Sequence, residues 1–99
     1  MNIKENEVYS FKLNSGEELV AKVIKLDENT IEISEPVSIA PNQKGLGMVP
    51  SLFTSEMSGS FRLNISSVAI VADTAESVRV KYIEATTGIT VPEKSIVLG

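Results

Sequence analysis

Between Val8 and Ile39 the apolar side chains fall in a pattern that a set of tightly connected strands satisfies. Tyr9, Phe11 and Leu13 occupy every second position. Asn14-Ser15-Gly16 then supplies turn residues, and Leu19 to Leu26 is a longer run, apolar on both parities. Asp27-Glu28-Asn29 makes a second polar turn before a third run through Ile31 and Ile33. Three strands joined this closely predict a strongly bent antiparallel meander.

The chain has 99 residues, enough for one domain and one core. Hydrophobic residues at 42% and charged residues at 22% place it among ordinary globular chains. No run approaches the roughly 18 apolar residues of a membrane span, and "MNIKENEVYS" lacks the apolar stretch of a signal peptide, so the expected location is cytoplasmic, away from membranes. Cysteine and histidine are both absent, which leaves metal binding and nucleophilic catalysis poorly supplied. No cofactor or metal site is expected.

Beyond Ile33, Glu35-Pro36 interrupts the alternation and marks a sheet edge or a bulge, after which Val37 and Ile39 continue on the odd positions used by Ile31 and Ile33. Residues 41–60, "PNQKGLGMVPSLFTSEMSGS", read as an irregular excursion. Leu46, Met48, Val49, Leu52, Phe53 and Met57 are too apolar for a freely solvated loop. Either part of the excursion extends the neighbouring strands as a hairpin or folds onto the core, or it contacts a protein partner or another subunit. Gly45-Leu46-Gly47 lacks the Gly-Lys-Ser/Thr and the following helix of a phosphate loop.

Phe61, Leu63 and Ile65 alternate, and Val68 and Ile70 alternate in the opposite parity, so a tight turn or bulge is expected at Ser66-Ser67. In the tail, Asp73-Thr74-Ala75-Glu76 has capping-box spacing, Ala75, Val78, Tyr82 and Ala85 share a helical face, and Gly88 stands at a C-terminal left-handed position. These signals favour a helix over the strand that the alternation in Ser77 to Tyr82 would suit. Ile89 to Val91 and Ser95 to Leu98 read as short extended pieces, and Met1 to Glu7 has room for one helical turn at most.

The segment "VYSFKLNSGEELVAKVIKLDENTIEISEPVSI" resembles the first motif of the Sm-like proteins, the LSm and Hfq group of small RNA-binding barrels, in its glycine after the first strand and its Asp-x-Asn turn before the third. "FRLNISSVAIV" resembles the second motif, nearest in its Hfq form: Phe61 and Arg62 take the aromatic and basic positions, Leu63 stands where the His is expected and Asn64 at the small residue. The resemblance spans residues 8–71, apart from the excursion, and implies a small, strongly bent five-stranded antiparallel barrel, Sm-like or SH3-like; the expected C-terminal helix and tail over residues 73–99 lie outside it and depart from the usual Sm-like order, in which the helix comes first. It also implies a cyclic homo-oligomer whose pore-lining turns hold single-stranded RNA. On this chain those positions are Asp27, Asn29 and Thr30, then Arg62, Asn64 and Ser66.

The residue types suit that task. An amide offers a base edge both a donor and an acceptor, and a guanidinium stacks on a base or holds a phosphate. Charge points the other way: the net charge is −4, and the cations at Lys4, Lys12, Lys22, Lys25, Lys44, Arg62, Arg79, Lys81 and Lys94 are dispersed, whereas phosphate capture calls for a basic face. The competing expectation is therefore a scaffold or protein-interaction ring that never touches nucleic acid, and a monomeric SH3-like barrel is a third. Catalysis is not expected, because Glu17-Glu18 and Asp27-Glu28 sit in turns where carboxylates are solvated, and Ser66-Ser67 has no base. The expected core is Phe11, Leu13, Val23, Ile31, Ile33, Leu63, Ile65, Val68 and Ile70.

Overall fold

A computed structural model describes residues 2–56 and 58–88. Met57 and the extended pieces expected beyond Gly88 lie outside the described residues. Strand β1 (Val8–Leu13) pairs antiparallel with β2 (Glu18–Leu26), and β2 with the long β3 (Thr30–Asn42). The two turns form as the sequence predicts. Gly16, at φ 95°, donates its N–H to the Leu13 carbonyl at 2.9 Å, and the Asp27 N–H reaches the Thr30 carbonyl at 2.9 Å.

Two bulges bend this meander. Between the pairs Lys22–Ser34 and Val20–Val37, β3 advances three residues against two, so Glu35-Pro36 carries an extra residue with Glu35 at φ 48°. Between Val23–Ile33 and Lys25–Glu32 the surplus residue is Ile24 on β2. The bulge at Glu35-Pro36 reverses the parity of β3. Ile31 and Ile33 enter one core, whereas Val37 and Ile39 lie on the opposite side of the sheet, which corrects the single face expected for all four.

Strand β3 is long enough to take two successive partners along its free edge. Its first half pairs with β5 (Ser60–Asn64) and its second half with β4 (Gly45–Pro50). Much of the expected excursion over residues 41–60 is therefore a hairpin, and the sheet has six strands where five are expected. One 3₁₀ turn, Ile65–Ser67, then carries the chain across to β6 (Val68–Asp73), which pairs with β1. Among the described residues no ladder joins β5 to β6. The sheet is strongly bent but open, not a closed barrel.

The concave side holds the main core of Tyr9, Phe11, Leu19, Ala21, Val23, Ile31 and Ile33, flanked by half-buried Leu13, Phe61, Leu63, Val68 and Val71. Two expected core residues lie elsewhere. Ile65, at the start of the 3₁₀ turn, is 38% exposed, and Ile70 is 60% exposed. The cause for Ile70 is a register shift: Lys12 pairs with Ile70 and Leu13 with Val68, so β6 accommodates an extra residue and turns Val68 and Val71 inward instead.

The other face of the sheet is covered by α1 (Glu76–Thr87), packed through Tyr82 and half-buried Val78 and Ile83 on Val20, Val37, Ile39 and Met48. The helix ends at Gly88, whose φ of 76° and N–H to the Glu84 carbonyl at 2.9 Å form the expected cap. It starts without the expected capping box: Asp73 is the last residue of β6, Ala75 is the N-cap, and no side chain caps it.

Candidate nucleic-acid interface

Three turns meet at one end of the sheet. The Ile65 N–H donates to the Asn29 carbonyl at 3.0 Å, which fastens the 3₁₀ turn to the β2–β3 turn. Asn14, in the β1–β2 turn, donates from its backbone N–H to the Ser67 carbonyl at 2.8 Å and from its side-chain amide to the Ser66 carbonyl at 2.7 Å. A short 3₁₀ turn leaves carbonyls without helical partners, and Asn14 satisfies two of them. Asn14 thus belongs to this end of the fold, although the sequence marks it only as a turn former.

The residues singled out in the sequence come together here. Thr30 stands directly across from Asn64 in the β3–β5 ladder, and Glu32 across from Arg62. Alternation along β5 turns Phe61 and Leu63 toward the core and leaves Arg62 and Asn64 exposed. Asp27, Asn29 and Ser66 are exposed and Thr30 is half-buried. Asp27 forms a surface ion pair with Lys25 at 3.7 Å, a contact of little energetic weight at such exposure. Arg62 enters no ion pair among the described residues. Asp27, Glu28 and Glu32 share this end with Lys25 and Arg62, so the surface is polar and of mixed charge rather than basic.

Such a surface can offer amides, hydroxyls and one guanidinium to flat hydrogen-bonding groups. It has no convergent acid, base and nucleophile, and no group of three metal-ligating side chains occurs among the described residues. Among the same residues no helix is long and apolar enough to cross a membrane. In comparison with known proteins, no family model matches the chain and no curated protein matches it.

Two other surfaces bear on partners. Among the described residues no strand pairs with the outward edge of β6, which carries exposed Ala69, Ile70 and Ala72 with no charge before Asp73. After β4, Leu52 and Phe53 stay exposed, Phe53 at 80%, and Leu46 is exposed near the hairpin tip.

Proposed function

We propose that this chain is a non-catalytic, Sm-like nucleic-acid-binding protein that acts as a cyclic homo-oligomer and holds single-stranded RNA at the end of the sheet where the three turns meet. The observation that carries the reading is the juxtaposition of two segments far apart in sequence: the Asn29–Ile65 backbone bond and the Thr30–Asn64 pairing bring Asp27, Asn29 and Thr30 beside Arg62, Asn64 and Ser66. Among the described residues nothing pairs with the outer edges of β5 and β6, and this supports assembly, since each edge offers N–H and C=O groups to a neighbouring copy. Because the chain is acidic, affinity comes from stacking and amide contacts more than from phosphates.

Fluorescence anisotropy with short A-rich and U-rich RNA at low salt tests this. Asn29→Ala and Arg62→Ala are each expected to weaken binding by about 1 to 3 kcal/mol, and Lys4→Ala, away from the three turns, to leave it unchanged. No saturable binding up to about 100 μM, the weak end of non-specific affinity, transfers the reading to a scaffold ring. The uncharged β6 edge and exposed Phe53 favour that second reading, in which the same assembly presents protein contacts only.

A further inference from the structure

A cleft of about 340 Å³ lies on the opposite side of the sheet from the main core, where α1 meets the bulge of β3. Its volume is at the small end of ligand pockets, which run from about 300 to 1,000 Å³. Val8, Ile83 and the Tyr82 ring give it an apolar floor. Glu7, Lys22, Glu35 and Arg79 bring charges of both signs to its walls.

These charges are not equally available. Arg79 is held in a fork by Glu76, with Nε to Oε1 at 3.0 Å and Nη2 to Oε2 at 2.9 Å. Glu7, Lys22 and Glu35 enter no ion pair among the described residues. Lys22 stands directly across from Val8 on one side and Ser34 on the other, so its place on β2 falls between Glu7, just before β1, and Glu35, at the bulge within β3. A cleft that brings one cation and two carboxylates together beside apolar side chains is the mirror of a molecule with its own amine, carboxylate and short aliphatic body.

Asn6 at φ 69° and Glu35 at φ 48° are the non-glycine residues with left-handed backbone among the described residues, and both line this cleft. Asparagine tolerates that region, but glutamate pays a steric penalty there that glycine avoids. The bulge requires only the backbone conformation, and among the described residues no hydrogen bond or ion pair uses the Glu35 carboxylate.

We propose that the cleft lined by Glu7, Lys22, Glu35 and Ile83 binds a small zwitterion of the aliphatic α-amino-acid class, its ammonium between the two carboxylates and its carboxylate on Lys22. The probes are L-leucine, isopentylamine and isovalerate, which carry both charges, the amine alone and the carboxylate alone on similar aliphatic bodies. In a two-dimensional NMR titration, leucine is expected to bind saturably in the millimolar range proper to so small a ligand, with shifts centred on Val8, Lys22 and Ile83. Each half-ligand should bind at least about tenfold more weakly, since it meets only part of the charge set.

Lys22→Met should reduce leucine affinity by about tenfold or more while leaving isopentylamine binding no weaker. Glu35→Gly should lose leucine binding and keep or raise the melting temperature, because glycine takes the bulge conformation without the penalty. No saturable response to leucine up to about 10 mM, or isopentylamine binding as tightly as leucine, overturns the proposal. So does a lowered melting temperature for Glu35→Gly, which would assign the carboxylate to the fold. The outcome is independent of RNA binding, which concerns other residues.

Discussion

Tyr82 joins the helix to the sheet through one hydroxyl. It accepts the Lys22 N–H at 3.2 Å and donates to the Ser34 carbonyl at 3.1 Å, and Lys22 and Ser34 face each other beside the bulge where the ladder loses its regular spacing. The phenol thus bridges two strands at the point where the ladder is interrupted. Burial, at 3% exposure, raises its pKa from 10.0 to about 12; the Lys22 N–H opposes that shift and the Glu35 charge adds to it. A folded-state pKa above the unfolded value means that the neutral phenol is favoured by the fold. Its contribution is complete below about pH 10 and is lost as pH rises through about 12, on the order of 1 to 3 kcal/mol in all. Denaturant midpoints measured from pH 9 to 12 should fall for the wild type and fall distinctly less for Tyr82→Phe. At the same scale, Ile33→Ala should cost about 2 to 5 kcal/mol, because Ile33 is buried in the main core. Ile65→Ala should stay within about 0.5 kcal/mol, since the 3₁₀ turn leaves that side chain substantially in water.

Among the elements, α1 owes its place to packing rather than to a strong start signal. Tyr82→Ala should therefore cost about 3 kcal/mol or more and speed amide exchange throughout residues 76–87. Arg79→Ala removes a half-buried i, i+3 pair with Glu76 and should cost no more than about 1 kcal/mol. The first three strands, their turns and the Gly88 cap were legible in the sequence because each rests on local chemistry: alternation, turn residues, a left-handed glycine. What was hidden depended on register. The extra residues at Glu35-Pro36 and in β6 change which parity faces the core, and nothing in the residue types announces the Ile70–Val71 exchange. The hairpin through β4 was among the readings open for residues 41–60, signalled by apolar residues too many for a solvated loop, though Gly45, Gly47 and Pro50 left its bounds unmarked. Gly47 has a reason to be small: a Cβ there would sit 3.1 Å from the Ala40 carbonyl and 3.2 Å from the Asn42 amide nitrogen. For the candidate interface, the two segments were legible, but Asn14 was not, because its role is to satisfy carbonyls that exist only once the 3₁₀ turn forms.

On the scale of the whole molecule, the open stretch between β5 and β6 is the feature that most needs a partner. Natural edge strands are guarded by lysines, prolines or cover, and β6 presents Ala69, Ile70 and Ala72 with none of these among the described residues. Pairing β6 of one copy with β5 of the next is heterologous, so it closes only as a ring. Its geometry would also gather Arg62 and Asn64, which lie on β5, around a common axis. Net charge of −4 per copy opposes that gathering, and salt should screen the repulsion; assembly is therefore expected to strengthen, not weaken, as ionic strength rises. RNA affinity should show only a shallow decline over the same range, because few counterions are released per subunit. Light scattering coupled to size exclusion at micromolar concentration should return a closed multiple of the protomer mass for the wild type. Ile70→Asp should return the protomer while leaving its own unfolding midpoint nearly unchanged, since the replaced side chain is exposed within a single chain. A wild-type protein that remains monomeric at every salt concentration would leave the β6 edge to another protein strand and remove the ring from the proposed function.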